Sequence, residues 1–252
     1  MLIIVDNKIS PKAKEKLSKY GDLLELRTEG ITYSAISGHP DIFFCQSADK
    51  LIVAPNLPKQ YFDQLNNNGI DHIIGEFPVG NEYPASARYN AVATSNCLIH
   101  NFRYIDFMIT RSLEELNPIH VDQGYCRCNL LPLKDDHFIT SDAGIHKVLK
   151  RLHLRDSISE TPSRRLHLNV LYVSPEGILL EGFPHGFYGG CCGMWEEKIF
   201  INGSLNLFPE GEKVRNYLRS LDYEIVELNK GPLVDVGSIL FQDLTGDLTG
   251  HL

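Results

Sequence analysis

The chain has 252 residues, of which 43% are hydrophobic and 22% charged, and its formal net charge at pH 7 is −8. This length and composition are those of an ordinary globular protein with a sizeable core, which excludes a disordered or fibrous chain. The acidic balance argues against a general nucleic-acid or anionic-membrane surface, because such surfaces need clustered Lys and Arg. We therefore expect a single domain over residues 1–252 that has neither a membrane nor a nucleic acid as its partner.

The N-terminal segment and the cysteines both indicate a reducing compartment. The first residues form a short apolar run without a basic leader, and no apolar stretch reaches membrane-spanning length, so we expect a cytoplasmic protein. The six cysteines stand at positions 45, 97, 126, 128, 191 and 192. Adjacent or alternate cysteines rarely bridge each other, so this spacing predicts free thiols.

The elements predicted in chain order repeat one arrangement. Residues 2–5, 10–20 and 23–26 predict a strand, a helix and a strand. Residues 41–54 then predict a hairpin of two apolar strands, followed by a helix that Pro58 opens and Gly69 ends, and by a strand at 72–74. The same order returns with strands at 91–93 and 97–99, a helix at 105–116 and a strand at 119–121.

Two further units and a final strand complete the chain. The third unit has strands at 130–133 and 138–140, a helix carrying Ile145 and Leu152, and a strand at 168–173. A polar segment at 155–165 and an extra strand at 178–181 look like insertions. The fourth unit starts at Cys191 and Cys192 and continues with a strand at 199–201, a helix near 210–221 and a strand at 223–228. The strand predicted over 234–241 has no hairpin partner, and it supplies the strand that the N-terminal unit lacks.

This order predicts an α/β fold of five ββαβ units in a pseudo-fivefold ring, an α/β propeller closed by the C-terminal strand. Closure of this kind removes exposed sheet edges. The alternative is a doubly wound parallel sheet. Such sheets need long crossovers after single strands, whereas here paired strands precede each helix.

The predicted arrangement resembles the pentein fold, which is shared by arginine deiminases, agmatine deiminases, dimethylarginine dimethylaminohydrolases, amidinotransferases and a ribosomal anti-association factor. Residues 186–190 and 234–238 are similar to an uncharacterised clostridial-type branch of that superfamily. The resemblance implies a substrate at the hub of the ring, where a cysteine attacks a guanidinium carbon with help from a histidine and acidic residues. The family nucleophile lies on the C-terminal strand, which here carries Ser238 and no cysteine, so it does not carry over.

Polar residues recur near the starts of the first strands, where the resemblance implies substrate contacts. Arginine can clamp a carboxylate through paired hydrogen bonds, and carboxylates suit a cationic group, so the set predicts a small polar, amino-acid-like ligand. Each charge alone is also typical of a solvated surface group. The candidate substrate-binding residues are Asp41, Arg88, Asn90, Arg127, Cys128, Glu181 and Asp235.

Residues 181–193 hold five glycines and predict either a ligand-binding loop with an anion nest or close packing at a crowded hub. Cys191 or Cys192 with His185 forms a candidate nucleophile and base, because a neighbouring histidine favours the thiolate. Inert buried thiols are the alternative. Zinc held by His185 and the thiols at 126, 128, 191 and 192 is a third interpretation, although the Cys-x-x-Cys pairs of structural zinc are absent. We expect neither a metal nor a cofactor.

The leading hypothesis is a thiol-dependent hydrolase or transferase that acts on a small guanidino, amide or amino-acid-like compound at the hub. The alternative is a non-catalytic pentein-like protein that binds a metabolite or a macromolecular partner, and the missing nucleophile favours it. The sequence leaves the substrate and the formation of a homo-oligomer open.

Overall fold

The computed structural model of the protein describes residues 1–156 and 168–243. Within these residues the fold is mixed α/β, with small sheets and seven α-helices. The helices are α1 (Pro11–Leu17), α2 (Pro40–Phe43), α3 (Lys59–Asn67), α4 (Phe107–Ser112), α5 (Cys126–Asn129), α6 (Ala143–Asp156) and α7 (Gly211–Ser220). Short 3-10 helices lie at Ser34–Ile36, Ala85–Ala87, Lys134–Asp136, Gly189–Cys191 and Leu205–Leu207.

The strands are short, as expected for a repeated small unit. They are β1 (Leu2–Asp6), β2 (Asp22–Leu26), β3 (Phe44–Gln46), β4 (Leu51–Val53), β5 (Ile73–Ile74), β6 (Val92–Ala93), β7 (Cys97–His100), β8 (Asn117–His120), β9 (Leu130–Pro132), β10 (His137–Thr140), β11 (Asn169–Tyr172), β12 (Ile178–Leu179), β13 (Cys192–Trp195), β14 (Lys198–Ile201), β15 (Glu224–Glu227), β16 (Leu233–Val234) and β17 (Leu240–Gln242).

These strands form five three-stranded sheets, ordered β17-β1-β2, β3-β4-β5, β6-β7-β8, β9-β10-β11 and β13-β14-β15, and a two-stranded sheet of β12 and β16. In each three-stranded sheet the central strand pairs antiparallel with the first strand and parallel with the strand that follows its helix. This is the predicted ββαβ order. The C-terminal β17 pairs with the N-terminal β1, with Ile4 opposite Leu240.

The structure differs from the predicted elements at two positions that matter for the site. The strand expected from Asp41 is preceded by the helical turn α2, because Pro40 occupies its first position and its fixed φ suits a helix start. The strand expected over 234–241 divides into β16 and β17, because Gly237 and Ser238 have φ values of 66° and 72°, which no strand accommodates. The predicted insertion at 155–165 lies largely outside the described residues.

Helices pack one apolar face against the sheets. Ser10 caps α1 by accepting a hydrogen bond from the backbone N–H of Ala13, and Ala13 and Leu17 are buried in a cluster with Ile3 and Val5 of β1. Burial of one such leucine contributes roughly 1.5–3 kcal/mol. In the part of the chain that the structure describes, no helix is long and apolar enough to cross a membrane.

Candidate functional site

Polar side chains are buried together where the turns before the first strands meet. We call this set the buried polar cluster; its members are Asp6, His39, Asp41, Asn90, Cys128, Asp235 and Ser238, all at most 4% exposed. Buried polar groups normally need partners, so a cluster of this size is either a structural network or a functional site. Its contacts decide between these two.

Asp41 is at the middle of the cluster. Its Oδ2 accepts a hydrogen bond from the Ser238 hydroxyl at 2.7 Å and one from the Cys128 thiol at 3.0 Å. Its Oδ1 is buried without a hydrogen-bond partner. Burial raises the pKa of Asp41, and the hydrogen bonds from Ser238 and Cys128 lower it by less. One carboxylate therefore faces both a thiol and a hydroxyl, and it keeps one oxygen free for a ligand.

Asn90 fixes the position of Cys128. Its main-chain carbonyl accepts hydrogen bonds from the N–H groups of Cys126 and Arg127, both at 3.0 Å, and its side-chain Oδ1 accepts from the N–H of Cys128 at 3.1 Å. These are the first N–H groups of α5, which have no partner within the helix. The Asn90 amide also donates to the Asp41 carbonyl at 3.0 Å and to the Cys128 sulfur at 3.2 Å.

Asp235 supplies a second buried carboxylate. It accepts hydrogen bonds from the backbone N–H groups of Phe187 at 2.9 Å and Gly237 at 3.0 Å. Burial, with a smaller contribution from Asp41, raises the pKa of Asp235 to about 7. Gly190 must be glycine here, because a Cβ on it would lie 2.0 Å from the Asp235 Oδ1.

His39 and Asp6 belong to the cluster, although sequence analysis did not select them. The His39 Nε2 lies 3.8 Å from the Asp6 Oδ2, and its Nδ1 lies 4.0 Å from the Asp235 Oδ1 and has no hydrogen-bond partner. Burial lowers the pKa of His39 to about 3 and raises the pKa of Asp6 to about 6. The imidazole is therefore neutral at pH 7. The only sequence signal for His39 is its position just before Asp41.

The glycine-rich segment presents carbonyl groups to the site. The Arg127 guanidinium donates to the Gly189 carbonyl at 3.0 Å and to the Cys192 carbonyl at 3.2 Å, and Ser238 contacts the same Gly189 carbonyl at 3.3 Å. A Cβ on Gly189 would lie 2.4 Å from the Arg127 carbonyl oxygen. These contacts show that Gly189 is closely packed against α5 and that the Arg127 side chain makes structural hydrogen bonds to the glycine-rich segment.

The thiols proposed as nucleophiles are buried and protonated. Burial raises the pKa of Cys192 to about 12 and the pKa values of Cys191 and Cys128 well above the ordinary value. Cys191 donates to the Phe187 carbonyl at 3.4 Å. Among the described residues, the hydrogen-bond contact of the His185 ring is with the Gly186 carbonyl at 3.1 Å and not with a thiol. The role assigned to Cys191, Cys192 and His185 stays a prediction.

For two of the predicted binding residues, the side-chain contacts that the structure shows are with residues outside the cluster. Glu181 lies in an ion pair 3.9 Å from Lys8 with its side chain 85% exposed, so it is a surface group in this structure. The Arg88 guanidinium lies over the Phe77 ring at 5.2 Å, and its Nε is buried without a hydrogen-bond partner. By contrast, Asp41, Asn90 and Cys128 are in direct contact, and the backbone N–H of Asp41 donates to the Gly237 carbonyl at 3.0 Å, close to Asp235.

Aromatic side chains adjoin the cluster. The Tyr33 hydroxyl donates to the Tyr125 hydroxyl at 3.3 Å, and Tyr125 is 2.6 Å from the Ser86 hydroxyl. Burial raises the pKa of Tyr33, and its hydrogen bond with Tyr125 adds to that rise. Its ring contacts Phe183, which is 47% exposed. Tyr33 itself is half-buried.

Comparison with known proteins gives a fold and a family. No curated protein matches the chain. Among solved structures, the chain is similar in fold to SxtG, an amidinotransferase from Microseira wollei in the saxitoxin biosynthetic pathway, with a TM-score of 0.56 and 10% sequence identity over 100% of this chain and 96% of that one. The family described as "Family of unknown function (DUF6873)" matches residues 4–240, and the chain therefore belongs to the DUF6873 family.

Proposed function

We propose that the chain is a pentein-like protein whose five ββαβ units form a ring with the buried polar cluster at its hub. The fold similarity to an amidinotransferase over the whole chain supports this arrangement. First strands of different units also contact each other: β3 contacts β6, β6 contacts β9, and β13 contacts β17. The pairing of β17 with β1 joins the two chain ends in one unit.

The cluster, in this proposal, binds a small compound that carries a cationic guanidino or amidino group. The observation that carries the proposal is the Asp41 Oδ1, a buried carboxylate oxygen without a hydrogen-bond partner. Leaving such a group unpaired costs roughly 1–3 kcal/mol or more. A planar cation with several N–H donors would pair with Asp41, and Asp235 would supply the second carboxylate.

The proposed reaction is hydrolysis of that group or its transfer to an amine, with Cys128 as the nucleophile. The Cys128 thiol already donates to Asp41. Transfer of the thiol proton to Asp41 gives a thiolate, which attacks the guanidinium carbon and forms a C–S bond. The C–N bond to the leaving amine then breaks, and the amine takes the proton from Asp41. Water or an acceptor amine next attacks the same carbon, the C–S bond breaks, and a proton of the attacking group passes through Asp41 to the sulfur and restores the thiol; with water, a second proton goes to solvent.

Cys128 is favoured over Cys191 and Cys192 because it contacts a carboxylate that can accept its proton. The Cys191 thiol donates to a backbone carbonyl, and burial raises the pKa of the Cys192 thiol to about 12. Since Cys128 is 4% exposed, a ligand reaches it only when neighbouring side chains move aside.

The test is labelling with 2-chloroacetamidine, an amidinium-bearing electrophile, compared with neutral iodoacetamide, with the modified cysteine assigned by mass spectrometry. We expect 2-chloroacetamidine to label Cys128 faster than any other thiol, and Asp41→Asn to slow this labelling at least 10-fold. Asp49→Asn, a change of an exposed carboxylate, is the matched control and should change nothing.

Preferential labelling of Cys191 or Cys192 would instead favour the thiol pair predicted from the sequence. Equal, slow labelling of all six cysteines by both reagents would refute a thiol enzyme. In that case, thermal stabilisation by arginine or agmatine that disappears in Asp41→Asn would indicate the non-catalytic binding protein.

A further inference from the structure

His39, Asp41 and Cys128 present three different metal-ligating groups to one point. One ligand atom from each residue lies within 4.8 Å of the other two, and all three residues are buried. The Cys128 sulfur and the Asp41 Oδ2 are already 3.0 Å apart. Ligands of tetrahedral zinc lie about 2.0–2.3 Å from the ion and therefore about 3.3–3.8 Å from each other. Shifts of about 1 Å would bring the three groups to that geometry.

Two of these residues each have a buried side-chain atom that lacks a hydrogen-bond partner and could bind an ion. The His39 Nδ1 and the Asp41 Oδ1 are both buried and unpaired, with His39 1% and Asp41 0% exposed. A buried donor or acceptor without a partner is rare in a folded protein and calls for an explanation such as an ion. A metal ion between these residues would satisfy both atoms at once.

A carboxylate lies near the second ring nitrogen of His39. Metal-ligating histidines usually donate the second ring N–H to a carboxylate, which fixes the tautomer and the ring orientation. The Asp6 Oδ2 lies 3.8 Å from the His39 Nε2, on the opposite ring nitrogen from the unpaired Nδ1. A small shift of the ring would bring Nε2 within hydrogen-bond distance of Asp6, which makes Asp6 the candidate positioning residue for a metal bound at Nδ1.

We propose that His39, Asp41 and Cys128 form a site for a divalent transition-metal ion of the zinc type, with a fourth position left for water or another ligand. A nitrogen, a carboxylate oxygen and a thiolate are a set that suits zinc and cobalt and does not suit calcium or magnesium. On binding, the S–H bond of Cys128 breaks, the sulfur–metal bond forms, and the proton goes to solvent. The ion's two positive charges then balance one thiolate and one carboxylate, which lowers the cost of burying them.

The metal site does not depend on the proposed guanidino chemistry, and the two make separate predictions. Both occupants supply positive charge beside the Asp41 Oδ1, so they exclude each other. A site that binds zinc and fails to bind amidinium probes would refute only the proposed function.

The test uses the full chain and the metal alone. Apo protein is dialysed against Zn²⁺ until the bound amount is constant, and against Co²⁺ for absorption spectroscopy. We expect one ion per chain and a thiolate-to-Co²⁺ charge-transfer band. Cys128→Ser should abolish the band and weaken Zn²⁺ binding at least about 100-fold, and Asp6→Asn should weaken it about 10-fold to 100-fold.

Cys126→Ser is the matched control, because this thiol is also buried in α5 but donates to the Gln123 carbonyl and not to Asp41. It should keep both the band and the stoichiometry. If Cys128→Ser does not fold, Asp41→Asn replaces it with the same expectation for Zn²⁺ binding. Less than one bound ion per chain, or a Co²⁺ band that survives in Cys128→Ser, would overturn the proposal.

Discussion

Asn90→Ala tests whether the buried polar cluster depends on one amide. This change leaves the Asp41 carbonyl and the Cys128 N–H without the hydrogen bonds of 3.0 Å and 3.1 Å that Asn90 provides. An unpaired buried polar group costs roughly 1–3 kcal/mol, so two such groups predict a loss of about 4 kcal/mol in the free energy of unfolding. For a chain of this length, that loss lowers the melting temperature by roughly 8–16 °C.

Asn56→Ala is the matched control for this prediction. The Asn56 side chain makes the same pair of bonds, donating to the Val79 carbonyl and accepting from the Val79 N–H, both at 2.9 Å. Asn56 is half-buried, so water can replace part of its bonding, and we expect a loss of about 1 kcal/mol. Urea titration and calorimetry of both variants measure the difference. Equal losses in the two variants would refute the argument that burial makes the Asn90 contacts costly.

Three further changes probe the same region. Burial raises the pKa of Asp235 from 3.8 to about 7, so its protonated form stabilises the fold fully below pH 4, and this stabilisation is lost as the pH rises through 7. We expect the free energy of unfolding to fall by about 4 kcal/mol over this range and Asp235→Asn to remove most of that fall, as measured by urea titrations in the presence of a metal chelator. An unchanged pH dependence in Asp235→Asn would contradict this prediction. Ser238 has a φ of 72°, so Ser238→Gly should be about 1 kcal/mol more stable than Ser238→Ala by thermal unfolding, and the opposite order would show that the backbone is not strained. Gly189→Ala should destabilise the fold by about 3 kcal/mol, because the new Cβ would lie 2.4 Å from the Arg127 carbonyl oxygen. Gly144→Ala in α6 is the control and should be neutral or stabilising. A Gly189→Ala variant with unchanged stability would show that α5 can shift.

The site residues predicted from the sequence fall into two groups, those that the structure brings into contact and those that it places elsewhere. Asp41, Asn90 and Cys128 were selected because polar residues recur at the same point of each unit, and the structure brings these three into contact. The same rule selected Arg88, whose contact is the Phe77 ring, and Glu181 was selected for its charge alone and is exposed. A charge pattern does not reveal on which side of a turn a side chain lies.

The repeated ββαβ order is a property of the sequence itself. Apolar runs of strand length, helix-capping residues and apolar residues at helical spacing are local signals, and they recur along the chain at intervals of about 50 residues. Even the pairing of β17 with β1 follows from counting which unit lacks a strand.

How the cluster is completed by Asp6 and His39, and how its atoms meet, was decided only by the tertiary structure. Asp6, His39, Asp41, Cys128 and Ser238 come from β1, the turn at α2, α5 and the segment before β17, and the distances between their atoms depend on how separate units pack. Hydrogen bonds and unpaired buried atoms are properties of such packing, because desolvation depends on every neighbouring atom. The functional proposals rest on the unpaired Oδ1 of Asp41, and this feature therefore could not be predicted from the sequence.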